Sequence, residues 1–141
     1  MEIVIEIVDN EPDPAARTVL YELLGEDNSR KSGLGDTGNF AVLIRAGADG
    51  EVVGGAWAVD DCGWAFLDLL YVPDDMRGQQ LGTRLLHEVE AIARKLGLIG
   101  MWVNTYDFQA RGFYERQGFV EFGCLERDHG AAGQSFMKKR F

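Results

Sequence analysis

The first apolar pattern is residues 3–8, IVIEIV, where the near-alternation of apolar and acidic positions predicts a strand. Asp13-Pro14 then offers an N-cap followed by proline at the first helical position. Ala16, Val19, Leu20, Leu23 and Leu24 follow at helical spacing, and Gly25 is placed to end that helix. Residues 26–39, EDNSRKSGLGDTGN, are polar and glycine-rich and predict a loop with room for one short helix. A connection of that length is often a lid over a site. FAVLIRA and EVVGGAWAVD predict two strands, and the Asp49-Gly50 turn between them favours a hairpin. GWAFLDLLYV adds a third strand, so the middle of the chain reads as an antiparallel meander. From Leu81 the apolar period changes from strand to helix: Leu81, Leu85, Val89, Ile92 and Leu96 make one stripe, closed by Gly97 with Lys95 in the last turn. IGMWVNT is a strand reached through that helix, so it is expected parallel to LDLLYV. QARGFYERQG predicts a short helix ended by Gly118, and FVEFGCLE with GQSFMKKRF a final hairpin. The sum is an α+β fold on one mixed, mostly antiparallel sheet with one β-α-β unit.

Composition bounds this picture. The chain of 141 residues is expected to be one domain, 1–141, and 46% hydrophobic content argues against disorder. No apolar run is long enough to span a bilayer, and the opening MEIVIEIVDNEPDP lacks the basic start and unbroken apolar stretch of a secretory signal. Cys62 and Cys124 sit singly among apolar neighbours without metal spacing, which predicts buried free thiols in a reducing cytoplasm. The net charge of -9, from 14 basic and 23 acidic residues, gives no basic nucleic-acid footprint. It favours cationic small molecules, or serves solubility alone.

The stretch YVPDDMRGQQLGTRLL carries the first candidate chemistry. A strand running into a helix N-terminus presents unpaired N–H groups and the positive end of the helix dipole. Glycines let an anion approach the backbone, and Arg77 suits phosphate oxygens. MRGQQLGT is therefore a diphosphate cradle or a plain strand-to-helix turn. A P-loop needs Lys-Ser/Thr after the last glycine, and Gly82 is followed by Thr83-Arg84. The dinucleotide pattern of three glycines is absent as well.

The residues Val72-Pro73-Asp74-Asp75-Met76-Arg77-Gly78-Gln79-Gln80-Leu81-Gly82 resemble the V-P-x-x-x-R-G-x-G-x-G acyl-CoA motif of the GNAT superfamily of acyltransferases. Ala110 to Phe119 match its A-x-x-F-Y-E-x-x-G-F element, one helix and one strand further on. The resemblance is clear over 51–141 and extends to the N-terminal third in element order only. It implies a GNAT-like sheet with helices on both faces. It also implies a cytoplasmic N-acetyltransferase that takes acetyl-CoA as co-substrate and a primary amine, of a small molecule or a protein, as acceptor. No metal, nucleic acid or membrane is implied, and many relatives form homodimers. A non-catalytic acyl-CoA-binding or regulatory domain is the alternative, prompted by Gln80 where the motif has glycine. Either Gln80 still offers its main-chain N–H, with negative φ as an ordinary helix-start residue, or its side chain narrows the cradle.

By the same resemblance, residues 77–83, with Arg77, Gly78, Gln79, Gln80, Leu81, Gly82 and Thr83, hold the diphosphate. Leu70 and Val72 offer main-chain groups to the pantetheine arm. Asp107 stands where the family often has the pantetheine asparagine, and Asn104 is near enough to substitute. Tyr114 falls on the thiol-protonating tyrosine, and an ordinary phenol is protonated at neutral pH as an acid must be. A core tyrosine is the plain alternative. Asp68, read from the residues themselves, interrupts FLDLLYV and by period two shares a face with Leu70 and Val72. It is a candidate base or water-orienting group, or the partner of a neighbouring strand. His87 reads as surface, and His129 lies in the glycine-rich turn that borders the acceptor site. Trp57, Trp64, Trp102 and Tyr106 are expected in the core or at its rim, and Tyr106 with Phe108 also suits an acceptor pocket.

Overall fold

A computed structural model describes residues 1–34 and 38–141. They divide into two compact units, Met1–Gly35 and Asp36–Phe141.

The first unit contains one helix, α1 (Pro14–Ser32). Asp13 caps it as expected, its carboxylate accepting from the Ala15 N–H at 3.0 Å. The helix does not stop at Gly25. Asp27 pairs with Arg30 at 2.9 Å and Lys31 at 2.7 Å, on adjacent turns. These pairs offset the roughly 0.5–1 kcal/mol that glycine costs inside a helix. Gly33, at φ 67, ends the helix and donates its N–H to the Ser29 carbonyl. The first half of the loop expected at 26–39 is thus helical, and residues 35–37 of the expected lid lie outside the described residues. Residues 3–8 form no strand. Their own unit offers no second strand, and a strand without a partner leaves its main-chain groups unpaired.

The second unit is built on six strands: β1 (Asn39–Arg45), β2 (Val52–Asp61), β3 (Trp64–Tyr71), β4 (Gly100–Tyr106), β5 (Val120–Leu125) and β6 (Gln134–Arg140). Their order is β1-β2-β3-β4-β6-β5, parallel between β3 and β4 and antiparallel elsewhere. Helix α2 (Leu81–Lys95) is the crossover that makes the parallel pair possible, and α3 (Arg111–Arg116) leads into β5. Leu85, Leu86, Val89 and Ala93 of α2 are buried with Ala56, Ala58, Ala65, Leu67, Met101, Val103 and Met137 of the sheet. The stripe is shorter than the sequence predicts, because Leu96 is already the helix C-cap and is 39% exposed. The tryptophans stay outside this core, with Trp57 39% exposed.

Both cysteines are exposed, against expectation. Cys62 occupies the β2–β3 turn at φ 52, and Cys124 lies on the edge strand β5, so apolar neighbours in sequence do not enclose either.

Candidate active site

Strands β3 and β4 stay in register at only two positions, Ala65 with Met101 and Phe66 with Trp102. Beyond them the strands part, and a cleft of about 800 Å³ opens. Leu67 to Val72 line one side and Val103 to Thr105 the other. The β3 backbone there is bonded to β2 alone, so its other edge faces the cleft.

A bulge accompanies the parting. Trp57 pairs with Leu69 and Ala58 with Leu67, leaving Asp68 as the extra residue of β3. Leu67 is buried and Leu70 packs against the same core, three positions apart, which unbroken alternation forbids. The period-two argument that put Asp68 on one face with Leu70 and Val72 therefore fails. Asp68 is the bulged residue, exposed, and it lines the cleft with them through the bulge.

The strand-to-helix turn closes one end. Pro73 leads into a single 3-10 turn, Asp74–Met76, and then Arg77. The Arg77 Nε donates to the Val72 carbonyl at 3.2 Å, and its Nη1 pairs with Asp74 at 2.7 Å. Gly78 is left-handed at φ 81, and so is Gln80, at φ 58 and ψ 25. The expectation of negative φ at Gln80 is wrong. The chain must turn sharply from Gly78 into α2, and the position keeps a glycine-type conformation while carrying a glutamine. Left-handed residues separated by one that is not aim successive N–H groups into a common hollow, a nest for anions. The unpaired amides of the first α2 turn add to it. Gly82 has ordinary φ, and a side-chain carbon there would touch the Phe113 ring of α3 at 3.6 Å. Thr83 is tied to α3 as well, accepting from Gln117 Nε2 at 3.2 Å.

Tyr114 of α3 lies in the cleft wall and is 7% exposed. Its ring meets Phe113 and Phe119 edge-on, at centroid distances of 5.1 and 5.6 Å. Burial alone pushes its hydroxyl up to about 12, so it is protonated throughout the neutral and mildly basic range.

The structure thus brings together at one cleft Asp68, Leu70, Val72, Arg77, Gly78, Gln80, Leu81, Gly82, Thr83, Asn104 and Tyr114. It leaves Gln79 and Asp107 out of the lining. The Asp107 carboxylate is engaged by Arg127 and by the Gly133 N–H, which together hold it below the usual carboxylate range. His87 is exposed as expected, and His129 is 94% exposed and paired with Asp128. Sequence reasoning missed Gln109, whose Oε1 accepts from the Tyr106 N–H at 2.9 Å and closes the end of β4. It also missed Phe113, for which the absent side chain at Gly82 was the available signal.

The cleft suits coenzyme A. It holds about 800 Å³, has the cradle at one end and β3 main chain not bonded to β4 along one side, and Arg77, exposed and paired with Asp74, brings a guanidinium to it. Among the described residues no group of three or more His, Cys, Asp or Glu could hold a metal ion.

Comparison with known proteins agrees with the geometry. The chain is 32% identical over 139 residues to acetyltransferase Atu2258 of Agrobacterium fabrum, covering 99% of this chain and 98% of that one. A crystal structure from Agrobacterium tumefaciens, of a protein assigned to the acetyltransferases, superposes with a TM-score of 0.85 at 32% identity over the full length of both chains. The blasticidin-S acetyltransferase of Streptomyces morookaense is 46% identical over 74 residues, 52% of this chain and 54% of that one. A Bacillus anthracis structure solved with acetyl coenzyme A shares the fold at a TM-score of 0.63 and 18% identity, covering 77% of this chain and 65% of that one. The acetyltransferase (GNAT) family profile matches residues 5–119. The parted strands, the cradle and the sequence match lead to one conclusion, that this chain belongs to the GNAT acetyltransferase family and is an acetyl-CoA-dependent N-acyltransferase.

Proposed function

We propose that the chain transfers the acetyl group of acetyl-CoA to a primary amine of a small molecule, by direct attack in a ternary complex. The observation that carries this reading is the parting of β3 from β4 into a cleft that has the cradle at one end and the buried Tyr114 in its wall. The N–H groups around Gly78 and Gln80, with Arg77, hold the diphosphate. The β3 edge at Leu70, not bonded to β4, accepts the pantetheine arm as an added strand would be accepted; Val72, just beyond β3, can add its N–H but not its carbonyl, which already takes Arg77, and Asn104 lines the same cleft. Asp107 is left out of this set, since its carboxylate is already committed to Arg127 and Gly133.

Asp68, exposed at the bulge, takes a proton from the acceptor ammonium directly or through water. The neutral nitrogen then attacks the thioester carbon. As the C–N bond forms and the C–S bond breaks, nitrogen gives up one proton and sulfur gains one. Tyr114 donates its hydroxyl hydrogen bond to that sulfur. A hydroxyl raised to about 12 lies some 3.5 units above an ordinary thiol at about 8.5, so complete transfer runs uphill by roughly 5 kcal/mol. Tyr114 therefore steadies the developing thiolate, and the proton lost from nitrogen balances the one gained by sulfur.

A small amine is favoured by the name of the blasticidin-S acetyltransferase relative and by the net charge of -9, which attracts ammonium ions. The family match, 5–119, runs across both compact units, which supports one acyltransferase domain over 1–141. A homodimer belongs to the same proposal, resting on the exposed Val120, Phe122 and Leu125 of edge strand β5. So does a cytoplasmic location, for which the support is that no described helix is long and apolar enough to cross a membrane. The test is Tyr114→Phe, assayed by thiol release with a panel of amines. Turnover is expected to fall by about 10²-fold or more while acetyl-CoA binding holds. Undiminished turnover would remove Tyr114 from the chemistry.

A further inference from the structure

The side chain just beyond β4 makes a three-point polar contact, and it is not in the cleft. Asp107 accepts from Arg127 Nε at 2.7 Å on Oδ2 and from Arg127 Nη2 on Oδ1, a two-pronged pair. Its Oδ2 also accepts from the Gly133 N–H at 3.0 Å, and its own N–H donates to the Gly133 carbonyl at 2.9 Å. Asp107 thus grips the β5–β6 connection at both ends, Arg127 and Gly133. Between the grips the chain folds into a small hairpin of its own. Asp128 bridges Ala131 across a turn in which His129 and Gly130 are left-handed, at φ 45 and 84. Gly133 is needed for the fit, because a side-chain carbon there would stand 2.9 Å from Asp107 Oδ2.

The grip lies beside the cleft. Tyr106 and Phe108 flank Asp107 and stack at 5.2 Å with planes 4° apart. Phe108 lines the cleft and is 69% exposed, so it stands at the rim. Acetyl-CoA uses the cradle and the β3 edge, which leaves this rim for the second substrate. With Arg127 neutralised by Asp107, the connection carries the carboxylates of Glu126 and of Asp128, the latter 2.6 Å from His129 Nδ1, and both suit a polar, cationic acceptor.

We infer that Asp107 and Arg127 are a positioning pair that fixes the 126–133 hairpin beside the cleft rim, and that the fixed hairpin selects the amine acceptor. The inference rests on the proposed acetyl transfer to an amine. The pair is well exposed, 64% at Arg127 and 36% at Asp107, so the fold depends on it little. Its effect is local order.

The experiment compares wild type, Arg127→Ala, Arg127→Lys and Gly133→Ala. Steady-state rates are measured with acetyl-CoA and a panel of aliphatic, aromatic and peptide amines. Arg127→Ala frees a carboxylate, and Gly133→Ala keeps every charge but displaces it. Both are expected to raise the KM of the best amine about five- to tenfold, to flatten preference across the panel, and to leave kcat and the KM of acetyl-CoA within about twofold. Arg127→Lys keeps the charge without the fork and is expected to fall between them and wild type. An unchanged amine preference in both alanine variants overturns the inference while the proposed function stands. A change in the KM of acetyl-CoA alone overturns it too, since Asp107 would then serve the coenzyme. A wild type that binds acetyl-CoA and acetylates none of the panel overturns the proposed function, and the inference falls with it.

Discussion

Gln80→Gly separates backbone geometry from side-chain chemistry at the cradle. Gln80 sits at φ 58 and ψ 25 as the N-cap of α2, and its side chain makes no capping hydrogen bond. A residue with a side chain pays about 1–2 kcal/mol for the left-handed region, and glycine gives back roughly 0.5–1 kcal/mol through its freer unfolded chain. The difference leaves the glycine variant more stable by about 0.5–1 kcal/mol. For a domain of this size that is a rise of roughly 2–4 °C in Tm. Gln80→Ala keeps both the left-handed φ and a side-chain carbon, so its Tm should stay near that of wild type. The assay is thermal unfolding of the three proteins without ligand, followed by titration with acetyl-CoA. In the proposed cradle the N–H of residue 80, not its side chain, meets the diphosphate, so the Kd of the glycine variant should remain within about threefold of wild type. A glycine variant that melts lower than wild type, or an alanine variant that gains as much, would refute the left-handed assignment. A large loss of affinity in both would mean that the glutamine side chain itself holds the coenzyme.

Two further substitutions probe the frame around the cleft. Gly82→Val places branched bulk against Phe113, where even one carbon already reaches 3.6 Å, and should abolish the melting-point rise that acetyl-CoA gives wild type; an undiminished rise would show that the cradle lies elsewhere. Glu90 of α2 is 12% exposed and joins Arg94 at 2.9 Å and Lys139 of β6 at 3.0 Å. Burial acts to raise its carboxyl, and the hydrogen bonds and charges of Arg94 and Lys139 outweigh it, so the group sits below the ordinary 4.5. A depressed carboxyl contributes stability that is complete above about 4.5 and is lost as pH falls through the lower folded value. Glu90→Gln should therefore melt below wild type at pH 7, with the gap closing on acidification below about 4.5; a gap independent of pH would assign the loss to packing.

Local signals in this chain were readable and non-local ones were not. The change of period at Leu81, and the Phe113-Tyr114 pair before Gly118, each lie within a few residues, and α2, α3 and the parallel β4 follow from them. Alternation misplaced Asp68 because a bulge shifts the phase, and the trace it left was two core leucines, Leu67 and Leu70, three apart. Residue type could not give the sign of φ at Gln80, since the turn imposes it on whatever occupies the position. The helix boundary at Gly25 was outweighed by ion pairs of Asp27, which propensity alone does not count. Asp107 and Arg127 are 20 residues apart and meet because β6 lies between β4 and β5, an order that no local pattern carries.

The most direct test of the account is acetyl transfer itself, with purified protein, acetyl-CoA and a panel of primary amines, followed by thiol release and by mass of the amine product. Thiol release should depend on both substrates and match N-acetylated amine mole for mole. Thiol release that is independent of any amine, or binding of acetyl-CoA with no acetylated product across the panel, would contradict the account.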